Sequence, residues 1–150
     1  MNKTFLWAVS FSLTAVMMTA CQNNENKTTE DNSDPKALSA QAIEVHDEIM
    51  PQISKFDKTS VKIDSILNGL SVLKDQDAEL DTAAIRTELV SLKGDIESAT
   101  DDMMDWMRNY RLDSLDATYQ QSEVERIQAM RAEFDKVNQQ IEAKMKSYTK

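Results

Sequence analysis

The sequence contains a single histidine, and methionines recur close to it and in one distant segment. The first segment reads His46-Asp47-Glu48-Ile49-Met50-Pro51 and the second reads Met103-Met104-Asp105-Trp106-Met107. An imidazole combined with thioether sulfurs suits copper(I) or the axial positions of a haem iron. The candidate ligand-binding patch therefore comprises His46, Met50, Met103, Trp106 and Met107. Methionine also fills irregular gaps in hydrophobic cores, and we favour that use here, with no bound cofactor or metal.

The sequence shows no arrangement typical of an enzyme. It has no Ser-His-Asp order, no HExxH, no glycine-rich phosphate loop and no EF-hand spacing. Acidic pairs occur at Asp47-Glu48 and at Asp101-Asp102. Both pairs lie off the apolar stripes described below, so they are expected on solvated helix faces rather than in a buried acid–base site. We predict that the chain is not an enzyme and has no catalytic residues.

The one cysteine, Cys21, follows a segment typical of secretion signals. Met1-Asn2-Lys3 is basic, Phe5 to Met18 is largely apolar, and Thr19-Ala20 precedes the cysteine. The apolar part is too short to span a bilayer comfortably. Small residues before a cysteine resemble the lipobox of bacterial lipoproteins. The pattern predicts that residues 1–20 are removed and that fatty acyl chains such as palmitate, attached to Cys21, hold the protein on a membrane.

The segment from Gln22 to Asp34 reads QNNENKTTEDNSD and contains no apolar residue. This composition predicts a disordered tether, so that residues 21–34 would join the lipid to a folded domain at 35–150. Gln22 rather than an Asp follows the cysteine, which favours the outer membrane, and the lack of a paired acidic cluster close behind Cys21 favours the periplasmic face. The formal net charge of −9 argues against nucleic-acid binding and against attraction to anionic lipids.

Three apolar stripes follow, with steps of three and four residues that alternate strictly in the first two, which is the spacing of bundle-forming helices. The first comprises Ala42, His46, Ile49, Ile53, Phe56, Ser60, Ile63, Leu67 and Leu70. The second comprises Ile85, Leu89, Leu92, Ile96, Ala99, Met103, Trp106 and Tyr110. The third comprises Val124, Ile127, Met130, Phe134, Val137, Ile141, Met145 and Tyr148.

The stripes predict an all-α fold, an antiparallel three-helix bundle with helices near 35–73, 78–110 and 118–148. The presence of only two glycines and two prolines agrees with long helices and few turns. A coiled coil that completes its core by dimerising is the alternative architecture.

Several residues predict where the helices begin and how they are placed. Asp34-Pro35 suits a helix start, and Ser122 with Glu125 matches a capping box. Pro51 interrupts the first stripe without changing its phase, which predicts a kink rather than a break. A hairpin that turns near residue 77 would place His46 opposite residue 108. In the bundle interior, the His46 side chain could hydrogen-bond to a neighbouring carboxylate such as that of Glu123.

The segments HDEIMP and MMDWM together resemble a family of small Bacteroidota lipoproteins that often carry the label "viral A-type inclusion protein". The likeness extends over residues 40–148. It implies a helical lipoprotein of the cell envelope and supplies no activity or ligand. We therefore expect a non-catalytic structural or protein-interaction domain, whose partner is an envelope protein or a second copy of the chain. The alternative is a copper or haem binder between helices 1 and 2.

Overall fold

The computed structural model describes residues 34–148, and these residues are almost entirely helical. The α-helices are α1 (Pro35–Ile49), α2 (Ile53–Gln76), α3 (Thr82–Asn109) and α4 (Ala117–Met145). Short 3₁₀ turns follow α1 at Met50–Gln52 and α4 at Lys146–Tyr148. The predicted signal peptide, Cys21 and nearly all of the predicted tether lie outside the described residues. Within 34–148, no helix combines the length and the apolar character needed to cross a membrane.

Pro51 lies in the 3₁₀ turn that joins α1 to α2. Met50 and Ile53, on either side, keep right-handed helical dihedral angles, with φ/ψ of −55°/−38° and −56°/−39°. Proline has no N–H to donate, so the backbone tightens locally into 3₁₀ bonding and then resumes the α-helix. The first predicted helix thus continues through Pro51. We refer to Pro35–Gln76 as the first arm.

The three arms run up, down and up. Contacts between the first arm and α3 join Asp64 to Lys93 and His46 to Trp106, so residue numbers rise along one arm as they fall along the other. The ion pairs Glu48–Arg131 and Lys55–Glu142 show that α4 runs parallel to the first arm. The predicted all-α, antiparallel three-helix bundle is therefore confirmed.

The core follows the predicted stripes closely in α3 and α4 and only partly in the first arm. The fully buried stripe residues of the first arm lie seven apart: Ala42, Ile49, Phe56, Ile63 and Leu70. The alternate positions are only half-buried: His46, Ile53, Ser60 and Leu67. At the centre, the Phe56 and Phe134 rings pack with their centroids 5.0 Å apart. In α2 the buried face is therefore narrower than the stripe predicts, whereas α1 also buries Leu38, Ser39 and Val45 beside its stripe.

Aspartates begin all three arms, although the start of α3 and the residue that caps α4 differ from the predictions. Asp34 accepts a hydrogen bond from the Lys36 N–H at 3.2 Å, as expected for the first arm. Asp81 caps α3, which therefore begins later than the predicted residue 78. Asp116 caps α4, and Ser122 instead donates to the Tyr119 carbonyl at 2.7 Å, inside the helix. The predicted Ser122–Glu125 capping box is wrong because the side chain that caps α4 lies further upstream.

Candidate functional site

The two segments that the sequence singled out meet across the bundle. The rings of His46 on α1 and Trp106 on α3 are stacked, with centroids 5.7 Å apart and an interplanar angle of 27°. Trp106 is almost fully buried, and the His46 side chain is 16% exposed. The hairpin register predicted from the stripes is thus correct to within about one helical turn.

The methionines of the candidate patch occupy three different environments. Met103 is fully buried in the core, and Met50 is half-buried and packs against the core. Met107 is 44% exposed. Within residues 34–148, no group of three or more His, Cys, Asp or Glu side chains is placed to hold a metal ion. The surroundings of Met103 and Met50 agree with the core-filling use that we favoured for them.

His46 finds a different partner from the one expected. Its Nδ1 lies 2.9 Å from Oδ1 of the adjacent Asp47, which takes the role that we expected of Glu123. Its other ring nitrogen, Nε2, is buried without a hydrogen-bond partner, and so is Nε1 of Trp106. Unpaired buried nitrogens are unusual in folded proteins. The His46–Trp106 pair therefore offers polar atoms whose hydrogen-bonding capacity the surrounding residues do not use.

An aromatic stack extends from this pair to the end of the bundle. Trp106 stacks on Tyr110 with ring centroids 4.5 Å apart, and Tyr110 stacks on Tyr119 at 6.4 Å. The guanidinium of Arg111 lies 4.4 Å from the centre of the Tyr119 ring. Stacked rings and a cation over a ring face are each weakly favourable. Together they connect α1, α3 and α4 beside the loop that follows α3.

A buried polar network lies next to the stack and comprises Ser39, Tyr110 and Gln120. The Tyr110 hydroxyl donates to Gln120 Oε1 at 2.8 Å and lies 2.9 Å from Ser39 Oγ. Gln120 Nε2 donates to the carbonyls of Arg111 and Ser114, both at 3.1 Å. Ser39 Oγ donates to the Leu112 carbonyl at 3.0 Å. Ser39 from α1 and Gln120 from α4 thus fix the backbone of the α3–α4 loop, and the Tyr110 hydroxyl joins these two side chains.

Burial raises the pKa of the Tyr110 hydroxyl above its ordinary value of 10.0. The nearby Tyr119 and Glu123 raise this pKa further, while the contact with Ser39 opposes the shift. The hydroxyl therefore keeps its proton, and continues to donate it, throughout the neutral pH range. The hydrogen bonds of this network position the α3–α4 loop.

The sequence predictions missed two of the three network residues, although their spacing contained a signal. Ser39 comes three residues before Ala42, and Gln120 comes four residues before Val124. Both positions are in phase with an apolar stripe and both are buried, with Gln120 completely inaccessible. A polar residue at a core position needs a hydrogen-bond partner inside the protein, which could have pointed to this network.

No family model, curated protein or solved structure matches this chain. The family resemblance of the HDEIMP and MMDWM segments therefore stays a prediction.

Proposed function

We propose that this protein is a lipid-anchored helical domain of the bacterial cell envelope, with a structural or protein-interaction role and no catalytic activity. The observation that carries the proposal is the order of segments along the chain. A signal-like segment ends at Cys21, a short polar segment follows, and a helical bundle begins at Pro35. This order suits a domain held at an outer membrane and facing the periplasm.

The interior of the bundle supports a role that does not involve catalysis. The buried polar groups Ser39, Tyr110 and Gln120 are occupied in holding the α3–α4 loop. The acidic pairs noted in the sequence, Asp47-Glu48 and Asp101-Asp102, are exposed, as expected for solvated faces. These groups contribute to stability and solubility, and an interaction role would instead use the outer surface.

The lipid attachment can be tested by fatty-acid labelling and membrane fractionation in a Gram-negative host. We expect the wild-type chain to incorporate an alkyne-labelled fatty acid and to sediment with membranes after a high-salt wash. The Cys21→Ser variant should lose the label and remain in the supernatant. Gln22→Ser places the same new residue next to the cysteine and should behave like the wild type. An unlabelled wild-type chain, or a Cys21→Ser variant that stays with membranes, would contradict the proposal.

The interaction role needs a partner, for which an envelope protein and a second copy of the chain are the two candidates. Val61 and Val90 are 70% and 54% exposed and offer apolar contact on α2 and α3. A photo-cross-linking residue placed at either position in living cells should repeatedly give one product of defined mass. The same residue at the exposed Asp135 of α4 provides the control. Monomer alone at all three positions would count against an interaction role, and a product of twice the mass would identify a homodimer.

A second candidate function, binding of copper or haem, rests on the unpaired Nε2 of His46, a ring nitrogen that can ligate a metal. Protein purified from its native envelope should then contain copper or show a Soret band. Cu(I) or haem added to the purified chain should raise its Tm, and His46→Gln should abolish that rise. Absence of metal, Soret band and Tm shift together would exclude this function.

A further inference from the structure

The two ends of the bundle differ in the side chains that they expose. The α3–α4 loop, residues 110–116, exposes Leu112 by 59% and Leu115 by 77%. We refer to this segment as the leucine loop. At the opposite end, the α2–α3 turn itself exposes the acidic residues Asp77, Glu79 and Asp81, and the exposed apolar residues Val72 and Leu73 lie before it on α2. Because Leu112 and Leu115 lie within four residues of one loop, they form a candidate apolar contact surface.

The leucine loop lies at the end where the chain enters the bundle. The Leu112 carbonyl accepts a hydrogen bond from Ser39 Oγ, in the first turns of α1. The point of entry, Asp34-Pro35, is therefore close to the leucines. A membrane anchor upstream of Asp34 is therefore connected to the bundle at the end that carries the leucine loop.

The chain between Cys21 and Asp34 sets how far this end can move from a lipid on Cys21. This stretch covers 13 residue steps, which allow a full extension of about 45 Å. A flexible chain of that length has a root-mean-square span of about 20 Å. With the proposed lipid on Cys21, a connection of this length would keep the leucine loop at a high effective concentration next to the bilayer surface.

The leucine loop is held in place before any membrane contact. Gln120 fixes the carbonyls of Arg111 and Ser114, on either side of Leu112, and Asp116 caps α4 directly after Leu115. Inserting the two leucines would therefore require little ordering of the backbone, which is a cost that weakens contacts made by mobile segments.

We propose that Leu112 and Leu115 insert into the interfacial layer of the membrane to which Cys21 is attached, so that the bundle stands with its leucine-loop end against the bilayer. This inference rests on the proposed lipid attachment. Asp113 and Asp116 accompany the leucines, and the chain is acidic overall, so the contact is apolar rather than electrostatic. A surface of zwitterionic lipid fits this chemistry.

The test uses the full lipidated chain and a single fluorescent label. The sulfur of a lipidated Cys21 is a thioether, so a Leu115→Cys variant has one free thiol, which can take an environment-sensitive nitrobenzoxadiazole dye. The labelled protein is reconstituted into vesicles of phosphatidylcholine and phosphatidylethanolamine that contain a nitroxide-labelled lipid. Val72→Cys is the matched control, because Val72 is 56% exposed near the opposite end of the bundle.

We expect nitroxide quenching at position 115 to exceed that at position 72 by at least threefold, with a blue-shifted emission. Adding Leu112→Ser to the Leu115→Cys variant should reduce the excess. Equal quenching at the two positions, in protein that floats with the vesicles, would overturn the membrane contact and leave the lipid anchor intact. A chain that does not float and that takes up dye at Cys21 as well would overturn both proposals.

Discussion

The two connections between the arms of the bundle are stabilised by different kinds of contact. The α2–α3 turn, residues 77–81, is held by residues within or next to it, whereas the leucine loop is held by buried side chains from α1 and α4. The comparison matters because a turn closed by its own residues can change without disturbing the core. A loop closed by distant buried residues contributes to the stability of the whole fold.

The α2–α3 turn shows the local pattern. Lys74 Nζ donates to the carbonyls of Ala78 and Leu80 at 2.6 and 2.9 Å, and Asp77 accepts from the Glu79 N–H at 3.0 Å. All residues from 71 to 79 are exposed. Water can therefore replace each of these hydrogen bonds if the side chain is lost, so the turn should contribute little to stability.

The leucine loop shows the long-range pattern. Gln120 is completely buried and Ser39 nearly so, and the two side chains bond to backbone carbonyls of the loop. These hydrogen bonds are part-buried, whereas those of the turn are exposed, so water replaces them less readily if either side chain is lost. The cost of leaving such groups unpaired exceeds the net value of an exposed hydrogen bond.

The largest effect should come from Gln120→Ala. This change removes two donated hydrogen bonds and one accepted hydrogen bond and leaves a cavity, so we expect the free energy of unfolding to fall by about 3 kcal/mol. Urea denaturation followed by circular dichroism measures the loss. The matched control is Gln121→Ala, since the exposed Gln121 bonds only to Glu125 on its own helix, and it should cost less than about 0.5 kcal/mol. Similar losses for the two variants would contradict a stabilising role for the network.

Tyr110→Phe should have the next largest effect, a loss of about 1–1.5 kcal/mol at pH 7, because it removes the hydroxyl that bonds to Gln120. It should also change the response to alkali. The pKa of Tyr110 is raised in the fold, so below pH 10 its contribution is fully present. As the pH rises from 10 through the folded pKa, the unfolded chain loses its proton first and stability falls. The phenylalanine variant should lose stability less steeply over that range.

Tyr148→Phe provides the comparison for this prediction. The pKa of Tyr148, at the end of α4, is also raised, by burial and by the nearby Glu88, with Ser147 opposing the shift. This variant should flatten the alkaline loss in the same direction but cost only about 0.5 kcal/mol at pH 7, because Tyr148 lies outside the network. The free energies of unfolding of the Tyr110→Phe and Tyr148→Phe variants, measured from pH 8 to 11, would test this prediction. Equal costs at pH 7 would remove the distinction between the two tyrosines.

The contrast between local and long-range contacts also explains how much of the structure could be predicted from the sequence. The stripes of α3 and α4 predicted the core almost residue by residue, because an apolar periodicity directly reports the buried face of a helix. The approach of His46 to the second segment followed from the register of the hairpin, although that register pointed to residue 108 and not to a stack on Trp106. The polar network did not follow, because it depends on which loop carbonyls meet Ser39 and Gln120 in three dimensions. The start of α3 was placed too early because several aspartates of the turn suit a cap equally well.

The aspartates that cap α3 and α4 provide a further test of the difference between the two connections, because replacing either should destabilise the fold by a similar amount. Asp81→Ala and Asp116→Ala should each cost about 1 kcal/mol, since both carboxylates cap a helix. Asp116 lies beside the network, and its carbonyl accepts the Gln120 N–H at 3.0 Å. Combined with Gln120→Ala, Asp116→Ala should therefore show a coupling of about 0.5–1 kcal/mol, while Asp81→Ala should be additive within about 0.3–0.5 kcal/mol. Additivity in both double mutants would mean that Asp116 does not act with the network.

The smallest effect should come from Lys74→Met, which keeps the apolar stem and removes both hydrogen bonds to the α2–α3 turn. Because this side chain is exposed, we expect a loss of less than about 0.5 kcal/mol. Faster amide hydrogen exchange should be confined to residues 76–82, with the core of α3 unaffected. Lys58→Met, at an exposed lysine in the middle of α2, controls for the loss of one positive charge. If Lys74→Met cost as much as Gln120→Ala, the α2–α3 turn would be coupled to the core, and the contrast between the two connections would be wrong.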